Sequence, residues 1–270
     1  MNPRMRVITL LTDFGAQDYF VGAMKGVILS LNPDATIVDI THEIPPQDIQ
    51  AAAFNLLACY QDFPAGTIHV AVVDPGVGSD RRAILVECAN QFFIGPDNGL
   101  FSWISEREGK FSAWQITNEQ FFRNPVSSTF HGRDVFAPAA AALSNGLVAA
   151  EVGPPLENIV MLAPLLPRTT TDAIEGSLIH IDRFGNCITN FTSEHINEER
   201  IAAGAKLIVN NNKITSIRSF FADRSAPKNE LFMLVGSAGF VEIAAQNASA
   251  AAIMSAKRGD SVLLVHDDCA

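Results

Sequence analysis

The chain has 270 residues, of which 48% are hydrophobic and 18% charged, and its formal net charge is −10. This composition is typical of a compact globular protein with one large domain or two modest ones, and the acidic balance excludes a basic surface for a nucleic-acid backbone. No apolar run approaches the roughly 20 residues that cross a bilayer, and an aspartate interrupts the first apolar run too early for a signal peptide. We therefore expect a cytoplasmic protein with no nucleic-acid partner and no membrane partner.

The first half of the chain alternates extended apolar runs with helical patterns. Such alternation predicts βαβ units on a mostly parallel sheet, and hence an α/β domain. The predicted strands are 6–11, 36–40, 67–73 and one that begins at 83–86, and the predicted helices are 19–31, 48–60, 98–105 and 133–144. A turn is predicted at 95–99, and Pro138 is expected to kink the last helix or to lie near its start.

Two of these strands run into an aspartate that is followed by glycine. Asp13 stands in T-D-F-G and Asp74 in D-P-G-V-G, where Pro75 stops the strand and the glycines let the backbone approach a ligand closely. Because ligands of open α/β sheets collect beyond the carboxyl ends of the strands, we expect the two aspartates to face one crevice. The alternative is that each aspartate only caps the next turn.

A further polar segment, T-F-H-G-R-D at 129–134, begins beside the predicted N-terminus of a helix. Backbone N–H groups at such a position favour an anion, so an oxygen nucleophile could bind there. His131 is suited to be an open, titratable imidazole, and Arg81 or Arg82 would supply a fixed positive charge near Asp74. The alternative is a capping histidine and a pair of surface arginines.

Composition changes at 162–171, where two prolines and a threonine run are typical of an exposed connector. We therefore predict an N-terminal domain at 1–165 and a C-terminal domain at 172–270. Beyond the connector, short strands without helices of comparable length indicate a small β-barrel or sandwich, and a polar turn, D-R-F-G-N at 182–186, follows the first of them. These strands are 177–182, 206–209, 231–235, 240–244 and 261–266.

The four cysteines are scattered along the chain, without a C-x-x-C pair and without a histidine at ligand spacing. They are expected to be free thiols rather than disulfides or zinc ligands, so no metal site is predicted. They are Cys59, Cys88, Cys187 and Cys269.

Five motifs follow one another along the chain: L-T-D-F-G-x-x-D-x-x-V-G-x-M-K-G at 11–26, V-V-D-P-G-V-G at 72–78, G-P-D-N-G at 95–99, T-F-H-G-R-D-V-F-A-P at 129–138 and I-D-x-F-G-N-x-x-T-N at 181–190. In this order they resemble the S-adenosylmethionine (SAM) hydroxide adenosyltransferases, which are SAM hydrolases related to fluorinating and chlorinating enzymes. The resemblance spans nearly the whole chain. It implies a larger α/β domain followed by a smaller β-barrel, and a homotrimer with each active site between the first domain of one subunit and the second domain of a neighbour.

The reaction that the resemblance implies is attack by water or hydroxide on the ribose 5′ carbon of SAM, which yields adenosine and L-methionine without a metal or redox cofactor. Asp74 and His131 would orient and deprotonate the water, either of them taking the proton, and Arg81 would hold the carboxylate and stabilise hydroxide character. In the first domain, the resemblance also assigns substrate binding to Asp13, whose carboxylate would take the ribose hydroxyls, to Asp18 and to Phe130.

In the second domain, the resemblance assigns the remaining contacts with the substrate. Asp182 and Asn186 would hold the amino and carboxylate ends of the methionine part, and Phe184 would supply an aromatic contact. Ser237 and Phe240 would lie near the adenine. For Phe184 and Phe240, a place in the core is an equal alternative, because the chain has 18 phenylalanines.

Three departures separate the chain from the fluorinating members of the resemblance. Those enzymes have a tyrosine at the position of Asp74, a halide-binding serine at that of Gly132, and an insertion ahead of the segment that matches Gly95. An anionic Asp74 would repel a halide at close range, so hydrolysis is favoured over halogenation. The alternatives are a chlorinase-like halogenase and a non-catalytic protein that only binds a nucleoside or SAM; the presence of Asp74, Arg81 and His131 argues against the second.

Overall fold

The computed structural model describes residues 7–171, 173–221 and 227–265. They belong to two compact units, 1–164 and 165–270. The domain bounds expected from the sequence, 1–165 and 172–270, stay a prediction. Among the described residues, no helix is long and apolar enough to cross a membrane.

The first unit combines a seven-stranded sheet with four α-helices. Its strands are β1 (Val7–Thr12), β2 (Thr36–Thr41), β3 (Ile68–Val72), β4 (Ala83–Cys88), β5 (Gln91–Pro96), β6 (Ser112–Gln115) and β7 (Pro155–Leu156). Its helices are α1 (Phe20–Leu31), α2 (Ile49–Cys59), α3 (Ser102–Glu108) and α4 (Ala137–Ser144), with 3-10 turns at Tyr60–Asp62, Glu119–Phe121 and Ala149–Glu151 and a π-helical turn at Gly132–Phe136.

The strand order of this sheet is β2-β1-β3-β5-β4-β6-β7. Strands β1, β2, β3 and β5 pair in parallel. Strand β4 runs antiparallel to β5 and to β6, so β6 points the same way as the parallel strands, whereas β4 and β7 are reversed. The prediction of a mostly parallel sheet in an α/β unit is confirmed.

Both faces of this sheet are covered. Ile8 and Leu10 of β1 lie in a core with Met24 and Ile28 of α1, to which the alanines of α4 also belong. Thr9, which points to the opposite face of β1, is fully buried as well. Strands covered on both faces read as continuous apolar runs, which is why β1 and β3 were recognisable from the sequence.

Three features of the first unit differ from the sequence prediction. Strands β5, β6 and β7 were missed. The predicted turn at 95–99 overlaps the last two residues of β5, because Gly95 and Pro96 are typical of turns. Helix α3 begins at Ser102 rather than at residue 98. The predicted helix 133–144 starts as the π-helical turn, and Pro138 lies in the first turn of α4, as one of the two expected placements had it.

The second unit is built almost entirely of short strands. They are β8 (Arg168–Thr169), β9 (Ile174–Ile181), β10 (Cys187–Thr192), β11 (Lys206–Val209), β12 (Asn212–Ile214), β13 (Leu231–Val235), β14 (Phe240–Ala245) and β15 (Ser261–Val265). Two short helices accompany them, α5 (Glu198–Ala202) and α6 (Ala250–Met254).

These eight strands form one antiparallel sheet in the order β12-β11-β15-β9-β10-β14-β13, with β8 beside β9. The sheet nearly closes on itself, because Ile217, shortly after β12, bridges to Met233 of β13 at the other edge. Closure removes the free edges and encloses a core that includes Phe191, Leu207 and Val241. The barrel expected for this unit is confirmed.

Strand β10 is the main element of the second unit that the sequence did not indicate. All of its residues except the last are buried, and two of them are polar. Thr189 donates to the Val241 carbonyl (2.7 Å), and the Asn190 side chain accepts from the Ser177 N–H (2.8 Å). Polar residues satisfied inside the barrel erase the alternating pattern by which such a strand is recognised.

Three expectations reach outside the described residues. The first strand was expected to begin at Arg6 and the last to end at His266, and Cys269 was among the expected free thiols. Both strands are present within the described range, as β1 and β15. The described cysteines, Cys59, Cys88 and Cys187, are free thiols.

Candidate active site

Three side chains that the sequence singled out meet at the carboxyl edge of the first unit's sheet. Asp74 lies two residues beyond β3, and the Nε of Arg81 donates to both of its carboxylate oxygens, at 3.0 and 2.9 Å. The Nη2 of Arg81 donates to the same carboxylate at 2.5 Å and to Nδ1 of His131 at 2.7 Å. Asp74 and Arg81 are largely shielded, with side-chain exposures of 5% and 11%, so their ion pair is poorly screened.

The contact with Arg81 fixes the protonation of His131. A guanidinium has only donors, so Nδ1 must accept, and the proton of the neutral imidazole resides on Nε2. Burial lowers the pKa of His131 below its ordinary value, and the charge of Arg81 lowers it further, whereas the carboxylates of Asp74 and Asp134 oppose the shift. His131 is therefore a neutral N–H donor at neutral pH.

Two loops bring these side chains together. The loop after β3 passes so close to the segment before His131 that a Cβ on Gly78 would lie 2.2 Å from the Ser128 carbonyl oxygen. That segment is held from the other side by the fully buried Asp134, whose carboxylate accepts from the Ser127 N–H (2.9 Å) and from Arg133 (2.7 and 2.8 Å). The π-helical turn begins immediately after His131, and such turns are frequent at functional sites.

Asp13 directly follows β1, the strand that pairs with β3. Thr12 pairs in register with Val72, so the carboxyl ends of β1 and β3 lie side by side at the same end of the sheet. One Asp13 oxygen accepts from the Gln47 N–H (2.8 Å), which leaves acceptor capacity on the carboxylate. Asp18 is exposed.

Phe130, beside His131, is buried within an aromatic cluster. Its ring meets those of Phe14 and Phe20 edge-on, with centroids 5.9 and 5.2 Å away, and the exposed Tyr19 stacks on Phe20. Arg133 lies over the outer face of Phe130, 5.2 Å from the ring centroid. Packing of this kind fixes the backbone that carries His131.

The predicted polar turn of the second unit is organised by Asp182. One of its oxygens accepts from the N–H groups of Phe184 and Asn186, both at 2.8 Å, and the other accepts from the Asn186 side chain at 2.8 Å. This network holds the Phe184 ring outward, where it is 77% exposed. A phenylalanine so exposed is not a core residue, which removes the core alternative for Phe184.

A cavity of about 880 Å³ lies within the second unit and gathers most of the residues predicted there. Asp182, Phe184, Asn186 and Ser237 line it. Phe240 does not line this cavity, because it is buried in the barrel wall with 5% exposure. This is the core placement that the sequence left open for Phe240. A second cavity of about 620 Å³, between α1 and α4 in the first unit, is lined by none of the predicted residues.

Comparison with known proteins decides the family. The N-terminal domain of the SAM hydroxide adenosyltransferases matches residues 8–153, and the C-terminal domain matches residues 176–263. The chain belongs to the SAM hydroxide adenosyltransferase family. The resemblance found in the five motifs is thereby confirmed.

Relatives within this family align along almost their full length. The chain is 36% identical to an (R)-S-adenosyl-L-methionine hydrolase from Methanocaldococcus jannaschii, over 96% of each chain. It is 26% identical to a fluorinase from Nocardia brasiliensis, over 97% of each chain. A solved structure of an uncharacterized conserved protein from Thermotoga maritima superposes with a TM-score of 0.87 at 34% identity and covers 96% of this chain and 100% of its own.

Several pocket residues of this SAM hydroxide adenosyltransferase were not indicated by the sequence. Phe220, Glu242 and Asn247 line the same cavity as Asp182. Phe220 lies outside any helix or strand, and Glu242 stands in a strand in which every second residue points away from the core. The nearest predicted residues were Ser237 and Phe240, which precede Glu242 on the same stretch of chain.

Candidate metal ligands do not gather in this structure. Among residues 7–171, 173–221 and 227–265, no three of the His, Cys, Asp and Glu side chains are placed to hold one ion. The described cysteines are held as thiols, since burial raises the pKa of Cys88 and of Cys187 to about 12.

Proposed function

We propose that this protein hydrolyses SAM to adenosine and L-methionine, by attack of water on the ribose 5′ carbon. The observation that carries the proposal is the contact of Asp74, Arg81 and His131 at the end of β3. Membership of a family that contains SAM hydrolases supports the same conclusion. SAM is the substrate, and the proposal requires no metal or redox cofactor.

The chemistry suits a site without a general acid. The 5′ carbon forms a bond to the water oxygen while its bond to sulfur breaks, and the electron pair of that bond stays on sulfur. The sulfonium becomes a neutral thioether, so the leaving group needs no proton. The protein must therefore align the water, partly desolvate it and remove one proton.

The hydrogen-bond directions favour Asp74 as the group that takes this proton. Arg81 can only donate, and Nδ1 of His131 is occupied by Arg81. The Nε2–H of His131 is then a donor that stabilises negative charge on the attacking oxygen, together with Arg81. The Asp74 carboxylate is the remaining acceptor, and its acceptor capacity exceeds the bonds that Arg81 makes.

Substrate binding completes the proposal. Asp13 would accept the ribose hydroxyls at the same sheet edge, with Asp18 and Phe130 contributing nearby. In the second unit, Asp182, Asn186, Phe184 and Ser237 would take the rest of the substrate in the cavity of about 880 Å³ that they line. A role for Phe240 would be indirect, through the barrel wall in which it is buried.

A substitution experiment tests the catalytic assignment. Asp74→Asn or His131→Ala should lower kcat by about 100-fold or more, with a smaller change in the affinity for SAM. Asp80→Asn is the matched control, because Asp80 is an exposed carboxylate on the same loop. Turnover of both site variants at the parent rate would remove these residues from the mechanism.

Product analysis separates hydrolysis from its alternatives. The purified protein is incubated with SAM in heavy-oxygen water, with and without chloride, and the products are identified by chromatography and mass spectrometry. Adenosine with heavy oxygen at its 5′ position, formed independently of chloride, is the expected result. A 5′-chloro product would establish a halogenase, and SAM that is bound but unchanged would establish a binding protein.

The proposal also covers the oligomeric state, the cellular location and the domain bounds of the enzyme. The family resemblance supports a homotrimer in which the first domain of one subunit and the second domain of a neighbour complete each active site. The acidic composition and the free thiols support a cytoplasmic enzyme without nucleic-acid or membrane partners. The domains would be 1–165 and 172–270.

A further inference from the structure

Glu242 is a carboxylate without a hydrogen-bond or ion-pair partner among the described residues. Its neighbours along β14, Val241 and Ile243, are fully buried in the barrel core, so Glu242 points to the opposite face of the strand. On that face lie Phe232, Leu234 and Ala244, which form a small apolar cluster. Glu242 pairs with Leu234 of the neighbouring strand β13, so its side chain lies on an apolar surface.

Arg218, a cation beside Phe232 on the same face, is already engaged. Arg218 covers the ring of Phe232 at 4.1 Å from the centroid, but its guanidinium donates to Glu230 (2.6 Å) and to Gln246 (3.2 Å). Among the described residues, no side chain or backbone group forms a hydrogen bond or an ion pair with the Glu242 carboxylate. Burial raises the pKa of Glu242 above its ordinary value, and the charge of Asp182 raises it further. The described residues thus place two carboxylates on one cavity and give Glu242 no paired counter-charge, which is unfavourable.

The backbone makes room for this carboxylate. A Cβ on Gly236 would lie 1.8 Å from Oε1 of Glu242, so only glycine leaves the Glu242 side chain where it is. The carboxylate lines the cavity of about 880 Å³ between the Asp182 turn and the exposed rings of Phe184 and Phe220. This cavity is large enough for a drug-sized ligand.

We propose that Glu242 binds the α-ammonium group in the methionine part of the substrate, and so selects substrates that carry this amino group. The inference rests on the proposed function, because that function supplies a substrate with an ammonium. An ammonium has three N–H donors that match the lone pairs of a carboxylate, whereas the sulfonium has none. Asp182 is less suited to this role alone, because it already accepts three hydrogen bonds within the turn and so has fewer lone pairs available than Glu242.

The test compares SAM with its analogue in which hydrogen replaces the α-amino group. Binding of each ligand to the wild type, Glu242→Gln and Gly236→Ala is measured by calorimetry, and turnover to adenosine is measured separately. Glu242→Gln keeps the shape of the side chain and removes its charge. Gly236→Ala keeps the charge and displaces it, and Glu175→Gln, on an exposed site of β9, is the matched control.

The wild type and the control should bind SAM about 10- to 100-fold more tightly than the analogue. Glu242→Gln and Gly236→Ala should bind the two ligands within a few-fold of each other, and KM for SAM should rise more than kcat falls. Full discrimination retained by Glu242→Gln would overturn the inference, as would a wild type that does not discriminate. If the wild type discriminates and Glu242→Gln does not, but no adenosine forms, the proposed function fails while the role of Glu242 stands.

Discussion

At the scale of single residues, two histidines of the first unit are held neutral for different purposes. Burial lowers the pKa of His69 to about 4, and the side chain accepts from the Thr9 hydroxyl (2.8 Å) and stacks on Phe93. His131 is only partly buried, and Arg81 shares in lowering its pKa. His69 is thus a core residue, whereas His131 keeps Nε2–H free for chemistry.

The buried His69 predicts a loss of stability in acid. The unfolded chain takes up a proton at this position below about pH 6.5, whereas the folded protein does so only below about pH 4. Between these values the unfolded state binds more protons, so the stability contributed by neutral His69 is full above pH 6.5 and is lost as pH falls toward 4. The total loss is about 3 kcal/mol.

Urea unfolding of the wild type and His69→Gln at several pH values between 7.5 and 4.5 checks this expectation. Both tryptophans, Trp103 and Trp114, lie in the first unit, so their fluorescence follows the unit that contains His69. The wild type should be more stable at pH 7.5, by a margin that shrinks in acid. A margin that is constant across this range would show that His69 does not titrate on unfolding.

The sequence marked the proposed catalytic side chains more clearly than the cavity residues of the second unit. Asp74 stands out because packing does not need a carboxylate at a strand end that is followed by glycine. His131 likewise lies in a polar segment with a glycine, T-F-H-G-R-D, that packing alone does not require. Glu242 carries no such mark, since its position depends on the pairing of β13 with β14 and on the space beside Gly236. Contacts between residues distant in sequence are set by the fold, and local pattern does not reveal them.

At the scale of elements, the loop from Asp74 to Arg81 determines whether the proposed catalytic side chains meet. Gly78→Ala should lower kcat by about 10-fold or more, because a Cβ there would collide with the Ser128 carbonyl and push the loop away from His131. Gly66→Ala is the matched control. Gly66 also has a left-handed φ, +86° against +78° for Gly78, but open space surrounds it.

Both variants should lose about 1 to 2 kcal/mol of stability from the strained alanine, and only Gly78→Ala should lose turnover. Steady-state kinetics together with thermal unfolding separates the two effects. Equal kinetics in the two variants would mean that the close approach to Ser128 is not needed for catalysis.

The elements themselves were recognisable to different degrees. Long apolar strands and amphipathic helices of the first unit, such as β3 and α1, are close to their predicted bounds. Strands β5 and β10 were missed, since one ends in Gly95 and Pro96 and the other buries Thr189 and Asn190. Each strand is stabilised by its neighbours in the sheet rather than by its own pattern.

At the scale of the whole molecule, the proposed residues fall in both units. Asp74, Arg81 and His131 belong to the first unit, and Asp182 and Glu242 to the second. The proposed reaction would therefore require a first unit and a second unit together. The family resemblance supplies both from neighbouring chains, which predicts a trimer of three times 29.1 kDa in solution.

Subunit mixing tests this shared site directly. Asp74→Asn disables the first unit and Asp182→Ala disables the second, so each variant alone should be inactive. In trimers assembled at random from equal amounts of both, a site is intact when one variant supplies its sound first unit and the other its sound second unit. Purification through two different tags keeps only the trimers that contain both variants, and one of the three sites in each of these is intact, so the co-expressed variants should regain about a third of wild-type activity. Sites contained within one chain would regain none, because every chain would carry one disabled unit, and light scattering that found an active monomer would lead to the same conclusion.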